Sequence, residues 1–159
     1  MFRRSGSLWL AGRAAIFVAG LHAMPACAMP SSGPIGDWLT ANGHGVIQIA
    51  PCGDALCGRI IGIDRAPASP MPTDAQGRPQ CGLTIISGEK PEDPGTWLGT
   101  ITDPRDGASY SARLSVDDQG NLRLRAFIGI PVLGETQVWH RFTGQLDAAC
   151  RIQTLSQPA

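Results

Sequence analysis

Two stretches of the chain alternate polar and apolar residues without a break. In SYSARLSV, Ser109, Ser111, Arg113 and Ser115 interleave with Tyr110, Ala112, Leu114 and Val116. In NLRLRAFI, Leu122, Leu124, Ala126 and Ile128 share one face and Arg123 and Arg125 the other. A period of two is the mark of a strand with one wet face and one buried face. From Met29 onward no stretch sustains a helical period over three turns. Strands are predicted near 36–40, 45–50, 57–63, 82–87, 96–102, 109–116, 121–130 and 136–142, with a ninth at 146–154.

Turn chemistry falls between these strands. DPRDG at 103–107 and DDQGN at 117–121 carry the Pro, Asp, Asn and Gly residues that tight turns require, and IPVLGE is a weaker break. Short strands at this spacing predict an all-β, antiparallel barrel or sandwich. Two segments break the rhythm. Residues 64–80, DRAPASPMPTDAQGRPQ, form a Pro-rich connection expected at one mouth of the barrel, and SGEKPEDPGT at 87–96 is a shorter, acidic one.

The first 28 residues read differently. Arg3, Arg4 and Arg13 precede the short apolar run AAIFVAGLHAM, and Ala26 and Ala28 stand at the −3 and −1 positions of a small-residue cleavage site. Residues 1–28 are therefore expected to be a signal peptide and 29–159 a single barrel domain in the periplasm. The apolar run is shorter than the roughly 20 residues a spanning helix needs, so no transmembrane span is expected. Cys27 invites a lipid-anchor reading, but Pro25 stands where that signal wants a small or branched residue. After cleavage 10 of the 13 basic residues and all 13 acids remain, a formal charge of −3. The basic residues are spread out, which argues against a nucleic-acid partner.

Four cysteines survive cleavage: Cys52, Cys57, Cys81 and Cys150. In an exported chain an even number suggests disulfides. Cys52 and Cys57 flank the connection between two strands that read as paired, and a cross-strand bond there would clip the hairpin. The C-x4-C spacing fits neither a redox C-x-x-C pair nor a four-ligand zinc site, and no metal or cofactor is expected. Cys81 and Cys150 are left over, either to pair with each other or to stay free thiols.

Gly36-Asp37-Trp38 opens the first strand, and VWHRF places Trp139 and Arg141 in the eighth. A G-x-W opening resembles the signature of lipocalins and other calycins. That resemblance implies that Trp38 closes one barrel end with Arg141 stacked on it as a structural plug. The ordered set GDWLT, IAPCGDALCGRIIGI, CGLTIISG, TITDPRDGASYSARL and FIGIPVLGETQVWHRF is similar to the domain of unknown function 2147 family of exported bacterial proteins, over about Gly36 to Phe142. The resemblance implies a lipocalin-like up-and-down β-barrel of about eight strands and no established activity. The segment after Asp64 is shortened and Pro-rich relative to that pattern, and the tail with Cys150 lies outside it.

No Ser sits in a G-x-S-x-G elbow and the glycines form no phosphate loop. His44 reads as a loop residue and His140 as facing away from Trp139. Asp103 and Asp106 could serve a hydrolase as paired carboxylates, but in a Pro-Gly turn they are expected to cap backbone amides. A non-catalytic barrel that binds a small apolar ligand or envelope component is expected, with Trp97, Tyr110, Leu124 and Trp139 lining the interior. Plain core packing is the competing account of those four, because eight strands can be just filled by their own side chains. The alternative function is an envelope-maintenance protein that engages partners through the 64–80 loop. Oligomeric state is left open.

Overall fold

The computed structural model describes residues 33–153. The expected signal peptide, including Cys27, lies outside the described residues. Eight antiparallel strands close into a barrel in simple chain order. They are β1 (Gly36–Leu39), β2 (Gly45–Cys52), β3 (Ala55–Ile63), β4 (Thr84–Asp93), β5 (Thr96–Thr102), β6 (Ser109–Val116), β7 (Leu122–Phe127) and β8 (Glu135–Arg141). Closure comes from β1 pairing with β8, with Trp38 opposite Arg141 and Leu39 opposite His140. Closing the sheet removes the exposed edges that an open sheet would present.

The alternation read along β6 and β7 is the alternation of the folded sheet. Ala112, Leu114, Leu122 and Leu124 are buried in the interior, and they meet in register as Ala112 opposite Ala126 and Leu114 opposite Leu124. Leu114, Leu122 and Leu124 join Trp38, Ile47, Ile49, Ile60, Ile86 and Trp139 in one apolar cluster inside the barrel.

The hairpin between β2 and β3 is tighter than the spacing suggests. Both strands run on through the cysteines, and only Gly53-Asp54 forms the turn. Gly53 has φ +71, as the first central residue of a II′-like hairpin requires. Cys52 pairs with Ala55 and Ala50 with Cys57, so the two cysteines lie diagonally across the ladder, not opposite each other. They are nevertheless joined, with Cα atoms 5.8 Å apart. A loop this short restricts the unfolded chain little, so Cys52→Ser is expected to lower stability by only about 2 kcal/mol, read from the urea midpoint.

Two elements depart from the expected boundaries. β4 continues through the acidic stretch to Asp93, leaving Pro94-Gly95 as the turn. β7 stops at Phe127, and Gly129 follows at φ +74. The expected ninth strand is instead two short ones, β9 (Gln145–Leu146) and β10 (Ile152–Gln153), paired around a turn on Asp147. This hairpin packs outside the barrel, where Leu146 fills the space beside Gly62 that a side chain would need. Cys150 bonds Cys81, 69 residues away in sequence, and its carbonyl accepts from the Ile63 amide at 2.8 Å.

Candidate functional site

The two ends of the barrel are unlike each other. At one end, β1 begins and β8 finishes. There the Arg141 guanidinium lies over the Trp38 ring, 3.9 Å from its centroid. Trp38 is fully buried, and its Nε1 donates to the Pro34 carbonyl at 2.7 Å. Arg141 donates through Nη1 to the Ile35 carbonyl at 2.7 Å and through Nη2 to the Gly33 carbonyl at 3.0 Å. The segment preceding β1 is thereby strapped over the end of the barrel. Gly36 makes this geometry accessible: its φ is +134, and a Cβ there would collide with the Arg141 guanidinium. Gly, Trp and Arg form one closing unit.

The other end is open. A cavity of about 1000 Å³ runs into it, at the top of the range typical of small-molecule sites. Its wall is mainly apolar, with Ile47, Ile60, Ile85, Ile101, Leu124 and Ala126. Its rim comes from the four connections at this end and is more polar, with Thr40, Asn42, His44, Gln80, Asp103, Arg105 and Glu135. Tyr110 and Gln137 add a hydroxyl and an amide to the wall.

Of the four residues expected to line the interior, Tyr110 and Leu124 face this cavity. Trp97 and Trp139 do not line it. Trp139 is buried in the packed core, its Nε1 donating to Gln137 Oε1 at 2.9 Å. Trp97 packs half-buried against the same core. The reason is height. β5 begins and β8 finishes at the closed end, so an inward residue near those termini enters the plug, not the mouth.

The acids of the 103–107 turn sit on the rim. Asp103 accepts from the Arg105 amide at 2.9 Å and, through Oδ2, from Arg105 Nη2 at 2.6 Å. That side-chain hydrogen bond from Arg105 is the main reason its carboxyl lies below the usual range. Asp106 Oδ1 accepts from the Ala108 amide at 2.9 Å. Both are engaged in holding the turn, and the shift leaves Asp103 a weaker base. His44 meets Asp64 at 3.2 Å, and His140 meets Asn121 at 2.9 Å. Among the described residues no three His, Cys, Asp or Glu side chains gather as a metal site.

The long connection is folded onto itself. Asp74 is buried and accepts from the amides of Gln76 and Arg78 and from Arg78 Nε. The Ala75 amide donates to the Pro104 carbonyl at 2.9 Å, tying this loop to the rim turn.

One residue escaped the sequence reading. Ser87 pairs with Thr100 and Lys90 with Leu98, so Gly88 and Glu89 together oppose Gly99. This is a β-bulge, with Gly88 at φ +70 in the left-handed region that such a bulge needs. The bulge turns Glu89 inward, over the bare backbone of Gly99, where a Cβ would lie 2.8 Å from the Glu89 carboxyl carbon. Glu89 is fully buried, and neither carboxyl oxygen has a hydrogen-bond partner. Burial alone pushes its pKa up to about 8. On β5, Gly99 lies between Ile101 in the cavity wall and Trp97 in the packed half, so Glu89 sits just below the cavity floor. The signal was present: an isolated Gly between TIIS and a charged residue marks a bulge.

A closed eight-stranded barrel, plugged at one end and hollow at the other, defines a lipocalin-like architecture. A solved structure with the same architecture is protein HP1028 of Helicobacter pylori, described as belonging to the lipocalin family. The two are 15% identical in sequence with a TM-score of 0.57, over 69% of this chain and 82% of that one. At that identity the likeness is one of fold. The chain itself belongs to the DUF2147 family, uncharacterized proteins conserved in bacteria, whose model matches residues 36–141. No curated protein matches the sequence. Among the described residues no helix is long and apolar enough to cross a membrane.

Proposed function

We propose that this protein is a binding barrel of the bacterial periplasm that holds a small, largely apolar molecule in its open cavity. The observation that carries the reading is the cavity itself: about 1000 Å³, with a mainly apolar wall and several polar groups from the connections around its mouth. A ligand matching it has an apolar body that reaches Ile60 and Leu124 and a polar end near Tyr110, Gln137 and Gln80. Burial of apolar ligand surface supplies the affinity, and the few polar groups set orientation. The two disulfides and the export-like N-terminus support the compartment. Partner binding through residues 64–80 has weaker support, because the buried Asp74 and the tie to Pro104 give that loop a structural task.

Titration with the neutral apolar fluorophore N-phenyl-1-naphthylamine tests the reading, together with native mass spectrometry of protein taken from the periplasm. Saturable, one-to-one binding is expected. Ala126→Trp places an indole in the cavity without disturbing the packed half and is expected to weaken binding by about tenfold, or 1.4 kcal/mol. An unchanged affinity would place the probe elsewhere and sink the proposal.

A further inference from the structure

The bulge in β4 leaves one side chain with no task in holding the fold. Glu89 is fully buried, and both its carboxyl oxygens lack a hydrogen-bond partner. Opposite it stand Leu56 on β3 and, through the bulge, Gly99 on β5, with Ala112 on β6 beyond Gly99. The charged residues of these strands look outward: Arg59 is exposed, Lys90 pairs with Asp54, and Arg113 with Glu92. The charged groups of the cavity, His44, Asp103, Arg105 and Glu135, belong to its rim. A buried polar group without a partner opposes folding, and a protein that keeps one beside a cavity keeps it for something that enters the cavity.

The carboxyl lies one layer of side chains from that space. Its carbon rests on the inner face of Gly99, 2.8 Å from where a Cβ would be. Two residues further along β5, or about 7 Å, is Ile101, and the matching step along β6 from Ala112 reaches Tyr110. Both line the cavity. Across the sheet, Gly99 pairs with Ala112 and Ala112 with Ala126, which is itself part of the cavity wall. Residues paired in register share a face, so this row presents to the interior one bare backbone and two methyl groups. Nothing larger stands on the wall along the row between Glu89 and the cavity.

Two bare acceptor oxygens call for donors. A carbonyl or ether on a ligand offers none, a carboxylate would repel, and a hydroxyl offers one. An alkylammonium group offers three donors and a charge, and charge-assisted hydrogen bonds are about twice as strong as neutral ones.

We infer that the ligand of this barrel carries a protonated amine on its apolar body, and that the amine pairs with Glu89 across the Gly99–Ala112–Ala126 row at the base of the cavity. The inference rests on the ligand reading above and names the chemistry of the ligand's polar end. Glu89 has a flexible side chain lying on bare backbone, and it turns toward Ala126 to meet the amine. Without ligand, burial holds the carboxyl neutral up to about pH 8. Pairing with an ammonium makes it a carboxylate. Its proton passes to solvent while the ammonium keeps its own.

Isothermal titration calorimetry with decylamine and with 1-decanol, which share one chain and differ in the head group, tests the pairing. The amine is expected to bind about tenfold more tightly than the alcohol at pH 7. In buffers of different ionisation enthalpy it should release about one proton per molecule bound, and the alcohol none. Between pH 7 and 9 its affinity should rise about tenfold, because the carboxyl gives up its proton more readily while an alkylamine stays charged. Neither measurement needs a variant. Glu89→Gln is expected to abolish the preference and the proton release, and Glu135→Gln, at the rim, to leave both in place. Equal binding of amine and alcohol, or amine binding without proton release, overturns the inference. So does a preference that survives Glu89→Gln or disappears in Glu135→Gln. Each of those results leaves the ligand reading standing as long as N-phenyl-1-naphthylamine still binds, whereas failure of that neutral probe strikes the ligand reading itself.

Discussion

Raising the pH from about 5 to about 9 is expected to lower the stability of the fold by about 4 kcal/mol through Glu89 alone. In the folded barrel its carboxyl is pushed from an ordinary 4.5 to about 8 by burial. Between those values the folded state holds a proton that the unfolded state has released. Stability from this group is therefore fully present below about 4.5 and lost as pH rises through about 8, beyond which the curve is flat again. The paired carboxylates act oppositely and elsewhere: Asp103 and Asp117 are held below the ordinary value, first by bonds to Arg105 and to the Asn121 amide respectively, so their contribution fades only in acid. Urea midpoints measured across the range separate the two effects.

Glu89→Gln keeps the size of the side chain and removes the titration. The variant should match the wild type near pH 5 and exceed it near pH 9. Glu89→Leu also removes the two unpartnered oxygens, and a buried polar group without a partner costs about 1–3 kcal/mol. It is expected to be the more stable of the two at every pH. A wild-type profile that stays flat between pH 5 and 9 would mean that the carboxyl is solvated, contrary to the geometry over Gly99.

Trp38→Ala is expected to cost about 3–5 kcal/mol, the range for deleting a buried large aromatic. The ring is fully buried, carries the Arg141 guanidinium and anchors Pro34, so its loss opens the plug and leaves Arg141 without its platform. Arg141→Lys should cost less, because an ammonium keeps charge but cannot stack flat while donating to two carbonyls. Gly36→Ala tests the same unit from its other side, with both the positive φ and the collision with Arg141 opposing it. Loss of under about 1 kcal/mol for Trp38→Ala would show that the barrel closes without its tryptophan.

Much of this is legible along the chain. The faces of β6 and β7 follow from strict alternation, and the pairing of Cys52 with Cys57 follows from two strands joined by a short link. The closing unit of Trp38 and Arg141 was implied only by the resemblance of the G-x-W opening to calycins. β4 was harder. Lys-Pro-Glu-Asp looks like a loop because its polar side chains are many, yet Lys90 reaches Asp54 and Glu92 reaches Arg113 on the outer face while pairing continues through two bulges. Charged residues satisfied by neighbouring strands are indistinguishable, in sequence, from charged residues facing water.

Periodicity is a local property, so the chain by itself determined which side of the alternating strands is buried, where most of the turns fall and which cysteines can clip a hairpin. How far along the barrel axis a residue sits depends on the stagger between strands, which no single strand contains. That is why Tyr110 and Leu124 reach the cavity and Trp97 and Trp139 the packed end, though all four were read as facing inward. The hollow at the mouth and the buried carboxyl of Glu89 belong to the same category. Each exists only once β1 has met β8, and once a bulge in β4 has turned a charged residue toward the bare backbone of Gly99.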